Sequence, residues 1–217
     1  MDENKPTSEK KGVATKQRLI SAALELFSTK GFSETTIRDI ATVVGIQPGS
    51  FYGHFASKEE ILLYMLNDYS ESTRQFFHED ELMTILQADA TIEKVFELII
   101  AFPKYLGESE YFMKLLNLVH QEQHRNDLFG NFELQRCSAG IRYYNRIFDT
   151  LKELHVFSDH VNSEYWSRAV LGVLYIQSHL SAIEIKLDRF ETRSVDLADN
   201  VHYVLEMLFE TGRYQGE

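Results

Sequence analysis

The residues best suited to chemistry lie in one short stretch, residues 36–55, reading TIRDIATVVGIQPGSFYGHF. Gln47 and Ser50 can hydrogen-bond base edges, and Tyr52 can combine a phosphate hydrogen bond with contact to a thymine methyl. Pro48, Gly49 and Gly53 stand among them. The glycines let a backbone approach closely and should leave this helix loose until DNA orders it. A second candidate is HQEQH, where His120 and His124 are four apart, the helical spacing at which two imidazoles can share a metal. Its glutamate is misplaced for HExxH and no third ligand stands out, so the segment reads as a polar helix end, with no metal and no cofactor. The chain shows no Gly-rich phosphate loop, nucleophile elbow or recognisable carboxylate pair, which argues against an enzyme.

Groups that read DNA must be presented by rigid elements. Ala41 is small where two helices would cross, and Gly45 suits a turn needing positive φ. Ile40, Val44, Ile46 and Phe51 make an apolar hinge. With that hinge inward, helical geometry turns Gln47, Pro48, Ser50, Tyr52 and Gly53 outward, where a major groove would lie. The same spacing also suits a helical hairpin whose small residues only aid packing. A first helix is expected over 15–30, with Ile20, Ala23, Leu24 and Phe27 on one stripe and Gly31 ending it. A second follows Thr35 or Thr36, and Pro48 opens a third at a position where its missing N–H has no intrahelical partner. Ser57 and Glu60 form a capping-box signature that launches a long helix toward Phe77. Further helices are expected near 91–106, 110–123, 128–155, 163–187 and 194–212, with Pro103 kinking or ending the first of these.

Composition agrees with an all-α chain. The 217 residues are 44% hydrophobic and include only three prolines and 11 glycines, enough for a small domain plus a larger one. Cys137 stands alone, which excludes an intramolecular disulfide and suggests a buried, reduced thiol. The first 20 residues are charged and lack an apolar core, and no later run is long enough to span a bilayer. A soluble, cytoplasmic protein with no membrane partner is expected. The net charge of -11 would oppose binding to nucleic acid if it were spread evenly. It is not: residues 1–60 hold 8 Lys+Arg and 8 Asp+Glu, and the remainder holds 14 against 25.

The segment 18–62 resembles the TetR (tetracycline repressor) family without a gap. The matching stretches are IxAAxxLF from Ile20 to Phe27, KGF from Lys30 to Phe32, TTIRDIA from Thr35 to Ala41, Gly45 with Ile46, and FYGHFASKEEIL from Phe51 to Leu62. Residues 1–12 are polar, with Pro6, Lys10, Lys11 and Gly12, and read as a flexible arm. The resemblance implies a helix-turn-helix DNA-binding domain over 13–73 with the motif near 36–55, and an effector-binding and dimerisation domain over 74–217. It implies phosphate contacts from Thr36, Tyr52, His54 and Lys58, a guanine contact from Arg38, and sequence selection by Gln47, Pro48 and Ser50. Read as residues alone, His54 also fits a solvated histidine, Lys58 a first-turn lysine, and Arg38 a surface partner for Asp39 or Glu34. Phe51 replaces the family's usual leucine, and Gly53 fills a site often occupied by a larger side chain.

Beyond residue 80 no family signature is visible. Val195, Ala198, Val201, His202, Leu205 and Leu208 form a stripe on the last helix, and Ala169, Val173, Ile176, Leu180 and Ile183 form another on the helix before it. Together they suit a homodimer through the last two helices, or equally an intrachain core. Tyr105, Phe112, Tyr144, Trp166 and Gln177, away from those stripes, are candidates to line a cavity for a small, largely apolar effector, as the resemblance implies. The expected function is a regulator, most simply a repressor, released from double-stranded operator DNA by that effector. An alternative is a module of the same fold that acts through partner proteins, with its acidic surface as docking face. A helical metalloenzyme built on His120 and His124 is a third reading, which stoichiometric metal in the purified protein would be needed to support.

Overall fold

A computed structural model of the chain describes residues 8–76, 81–187 and 197–213. Its helices in chain order are α1 (Ser8–Lys30), α2 (Ile37–Val44), α3 (Pro48–Phe51), α4 (Lys58–Phe76), α5 (Leu82–Ala88), α6 (Ile92–Gly107), α7 (Glu110–Glu122), α8 (Asp127–Glu153), α9 (Ser163–Leu187) and α10 (Leu197–Gly212). Among the described residues the only extended pairing is an isolated bridge between Phe157 and Arg213. The all-α expectation holds. The helices fall into two compact units, Met1–Glu71 with Tyr111–Glu122, and Ser72–Glu110 with Gln123–Glu217.

In the first unit the stripe Ile20, Ala23, Leu24 and Phe27 of α1 is buried, as are Ile40, Ala41 and Val44 of α2 and Ile61, Leu62, Met65 and Leu66 of α4. These helices cannot bury their apolar faces alone, so they close on one another. Helix α7 is built into the same unit although it comes from far along the chain. Its Phe112 meets the ring of Tyr69 on α4 edge-on at 5.6 Å, and its Lys114 pairs with Glu25 on α1 at 3.0 Å. The first helix starts at Ser8 rather than near residue 15, so the described part of the expected arm is helical; residues 1–7 lie outside the described residues.

The second unit packs α5, α6, α8, α9 and α10 around Val95, Ile99, Tyr144, Ile147, Phe148, Leu151, Val170 and Leu174. Helix α5 was not expected. It is a seven-residue helix that buries only Leu82 and Leu86. Pro103 neither ends α6, which runs on to Gly107, nor prevents Phe102 and Leu106 from being buried on the same side. Val201, Leu205 and Leu208 are fully buried within this core. The stripe expected on the dimer face of α10 is thus occupied inside the chain, because that helix needs the same apolar side to cover α6 and α9. Val195, and the side chains of Ile183 and Ala198, lie outside the described residues.

Candidate nucleic-acid interface

Helix α2 starts at a reciprocal cap. The Asp39 amide donates to Thr36 Oγ1 at 3.2 Å, while the Thr36 amide and hydroxyl both donate to Asp39 Oδ2 at 2.8 Å. Lys30 Nζ donates to the same oxygen at 2.7 Å. The Lys30 ammonium, then the Thr36 amide and hydroxyl, hold the Asp39 carboxyl well below the usual carboxylate range. Helix α2 ends at Gly45 with φ 74°, where the Gly45 amide bonds the Thr42 carbonyl at 3.1 Å and the Ile46 amide bonds that of Ala41 at 3.0 Å. This is a Schellman ending, which needs the left-handed residue that glycine supplies.

Gln47 then stands extended at the start of α3, its side chain making no capping bond, and Pro48 fills the first helical position. Helix α3 is a single turn anchored by Phe51, which is fully buried against Phe55. Fixing Phe51 inward fixes its neighbours outward. Gln47, Pro48, Gly49, Ser50 and Gly53 are exposed, and Tyr52 is 60% exposed with its ring edge-on to Phe51. A Cβ added at Gly49 would meet nothing within 4 Å. Thr36 and Arg38 are exposed at the start of α2, and His54 is half-buried at the turn into α4. Arg38 forms no ion pair among the described residues, and Asp39, its suggested partner, is taken by Lys30. The first unit therefore presents an open, donor-bearing face around a buried aromatic anchor.

Lys58 is placed otherwise. Its ammonium turns back to the carbonyls of Phe32, Ser33 and Thr35 at 2.7, 3.1 and 3.0 Å and lies over the Phe32 ring at 4.6 Å. Three further residues hold the frame, and sequence reasoning gave no role to the first two. Arg18 on α1 donates to the Val44 carbonyl at the end of α2. Lys16 sits over the rings of Tyr64 and Phe55 at 4.3 and 5.3 Å. Buried Thr35 donates to the Gly31 carbonyl at 2.7 Å. The Thr36–Asp39 cap was legible as a T-x-x-D spacing; partners more than twenty residues apart were not.

The effector candidates are carried by four different helices, α6, α7, α8 and α9. Phe112 belongs to the first unit, since α7 packs there. Tyr105 is 40% exposed and stacks on Phe102, Tyr144 is buried beside Tyr143, Trp166 packs at the margin of the core, and Gln177 is half-buried on α9. None lines the open cleft of about 680 Å³ bounded by Ala88–Glu93, Val156, Phe209 and Arg213. The second unit instead holds a buried polar cluster that the sequence reading missed. Glu133, 6% exposed, accepts from Arg136 Nε and Nη2 at 2.9 and 2.6 Å, and Cys137 Sγ lies 3.5 Å from it. Burial first, then the adjacent carboxylate, pushes the half-buried Cys137 thiol up. Beside it Gln123 donates to the Tyr175 hydroxyl at 3.3 Å. Residues 133, 136 and 137 share a helix face, so their i, i+3, i+4 spacing was a usable signal.

His120 is half-buried on α7 and His124 is exposed, and no group of three metal-ligating side chains gathers among the described residues. No described helix is long and apolar enough to cross a membrane.

Residues 19–65 match the family model of bacterial regulatory proteins, tetR family. Over 48 residues the chain is 52% identical to the HTH-type transcriptional regulator YerO of Bacillus subtilis, a match covering 22% of this chain and 17% of that one. Other curated regulators are likewise matched over less than two thirds of their own length. Solved structures extend the likeness to the whole fold. NalD, the secondary repressor of the MexAB-OprM multidrug efflux pump in Pseudomonas aeruginosa, superposes with a TM-score of 0.61 at 19% identity, covering 95% of this chain and 99% of that one. SmeT, solved as a complex with triclosan, gives 0.61 at 19% identity over 94% and 93%. Residues 19–65 thus carry the signature of bacterial regulatory proteins of the tetR family, and nearly the whole chain shares the fold of these solved regulators.

Proposed function

We propose that the protein is a sequence-specific DNA-binding regulator, a repressor that leaves its operator when a small, largely apolar effector occupies the second unit. The observation that carries this reading is the face around Phe51: one buried ring holds Gln47, Pro48, Ser50 and Tyr52 outward on a single turn, with Thr36 and Arg38 exposed beside it. In this reading Tyr52, His54 and Thr36 grip phosphate, while Arg38, Gln47, Pro48 and Ser50 meet base edges. Two copies would be needed to hold two half-sites about one helical turn apart.

Helix α7 supplies a path for the effector's signal. The chain leaves the second unit at Tyr111 and returns to it after Glu122, and between those points α7 is fastened to α1 and α4. An effector that favours a different setting of α7 thereby favours a different spacing of the two recognition turns, and loss of half-site spacing lowers affinity without unfolding. The description of SmeT in complex with triclosan and of NalD as a repressor supports the same reading.

Selection of bound fragments from genomic DNA, followed by anisotropy titration on them, tests it. Binding should weaken steeply with salt. Tyr52→Ala should weaken binding to every fragment, and Ser50→Ala should change the preference among them. Undiminished affinity in Tyr52→Ala overturns the assignment. No specific binding at low salt, together with a co-purifying protein, favours a module that acts through partner proteins.

A further inference from the structure

We infer that Lys58 is a positioning residue that locks the turn between α1 and α2 to the start of α4, and not a ligand of phosphate. The inference deepens the proposed function and rests on it only where DNA is concerned. An ammonium carries three N–H donors and no acceptor. In Lys58 these three converge on the carbonyls of Phe32, Ser33 and Thr35, and the ammonium lies over the Phe32 ring at 4.6 Å. No donor remains for a phosphate oxygen.

The arrangement answers a local need. Gly31, at φ 93°, ends α1, and the backbone of 32–35 runs between helices with carbonyls that no ladder satisfies. A cation reaching in from α4 satisfies three of them at once. Thr35 fixes the turn from the other side through its bond to the Gly31 carbonyl. The next residue is Thr36, which caps α2 and stands exposed on the proposed DNA face. Lys58 therefore sets where α2 begins relative to the first turn of α4, and acts on DNA through that placement.

The two roles predict opposite behaviour for Lys58→Arg. A guanidinium binds phosphate at least as well as an ammonium, but its donors lie in a plane and cannot converge on three carbonyls around one point. The variants Lys58→Arg and Lys58→Met are compared with the full-length wild type in two measurements. In thermal unfolding of the free protein, a clamp requires both variants to melt lower, by about 3 °C or more. A freely exposed phosphate ligand would leave melting unchanged.

Binding to a labelled duplex of arbitrary sequence at low salt reads the DNA side, because phosphate contacts do not depend on sequence. A clamp requires Lys58→Arg to bind several-fold more weakly while keeping the wild-type dependence of log K on log salt. Full binding by Lys58→Arg overturns the inference, as does unchanged melting in both variants. If the wild type does not bind the duplex at all, the proposed function fails, and the melting comparison still decides the clamp.

Discussion

Asp39 gathers an amide, a hydroxyl and an ammonium on one oxygen, and it does so at the end of α2 where the backbone dipole favours a negative charge. The protein thus carries its own anion at the helix start that would face DNA. In the proposed reading a phosphate arriving there would meet the first-turn amides of Ile37 and Arg38, which have no intrahelical acceptor, while the Thr36 hydroxyl proton is already given to Asp39. The consequence for pH has a definite sign. The carboxyl is held well below its unfolded value of about 3.9, so its stabilisation is complete above that pH and is lost as pH falls toward the folded value. Asp39→Asn should therefore melt below the wild type at neutral pH, with the gap closing as pH falls below about 4. Melting curves of both proteins across that range check it, and a gap that persists unchanged in acid would show that the lowered carboxyl is not its source.

At the scale of elements, Gly31 decides where α1 stops. Its φ of 93° is open to glycine and strained for most other residues, while a Cβ there would reach only an ordinary contact of 3.7 Å with Glu122 Oε1 on α7. The backbone, not crowding, is thus the constraint. Gly31→Ala should cost about 1–2 kcal/mol, and Gly31→Asn less, because asparagine tolerates the left-handed region; chemical denaturation of both variants reads the difference. Gly31 and Gly45 were legible as stops because helix endings are written locally, in a residue whose conformational range is unusual. The long helices were legible for a related reason: the apolar stripe of α9 repeats over enough turns to fix its span, and 163–187 is both the expected and the observed range. Helix α5 was not, since two buried leucines over seven residues make no period. The role of Lys58 was hidden because its three carbonyls lie 23 to 26 residues earlier in the chain. Sequence spacing identified the outward face of α3 but could not say which nearby cations were already engaged.

For the whole molecule, the sequence left open a core stripe or a dimer stripe on each of the last two helices, and burial within the chain distinguishes the side chains already spent from those left exposed. On α10, Val201, Leu205 and Leu208 are spent on the chain's own core. On α9, Ile176 and Leu180 remain 60% and 47% exposed, one turn apart, and α10 adds Tyr203 and Met207 at 64% and 44%. Large apolar side chains this exposed and this close in sequence suit a face that a second copy covers. In a two-fold interface each residue meets the same patch of the other copy, so one added charge per chain places like charges together across the axis. Ile176→Glu combined with Leu180→Glu keeps good helix formers on α9 and removes nothing from the core of the chain. The double variant should keep the helical content of the wild type by circular dichroism and sediment as a monomer. Its affinity for a selected operator should fall steeply, because one recognition turn can hold only one half-site, while weak binding to duplex of arbitrary sequence persists. A variant that still sediments as a dimer and binds the operator as the wild type does would remove this face of α9 from the assembly and require another surface to set the spacing of the two helix-turn-helix motifs.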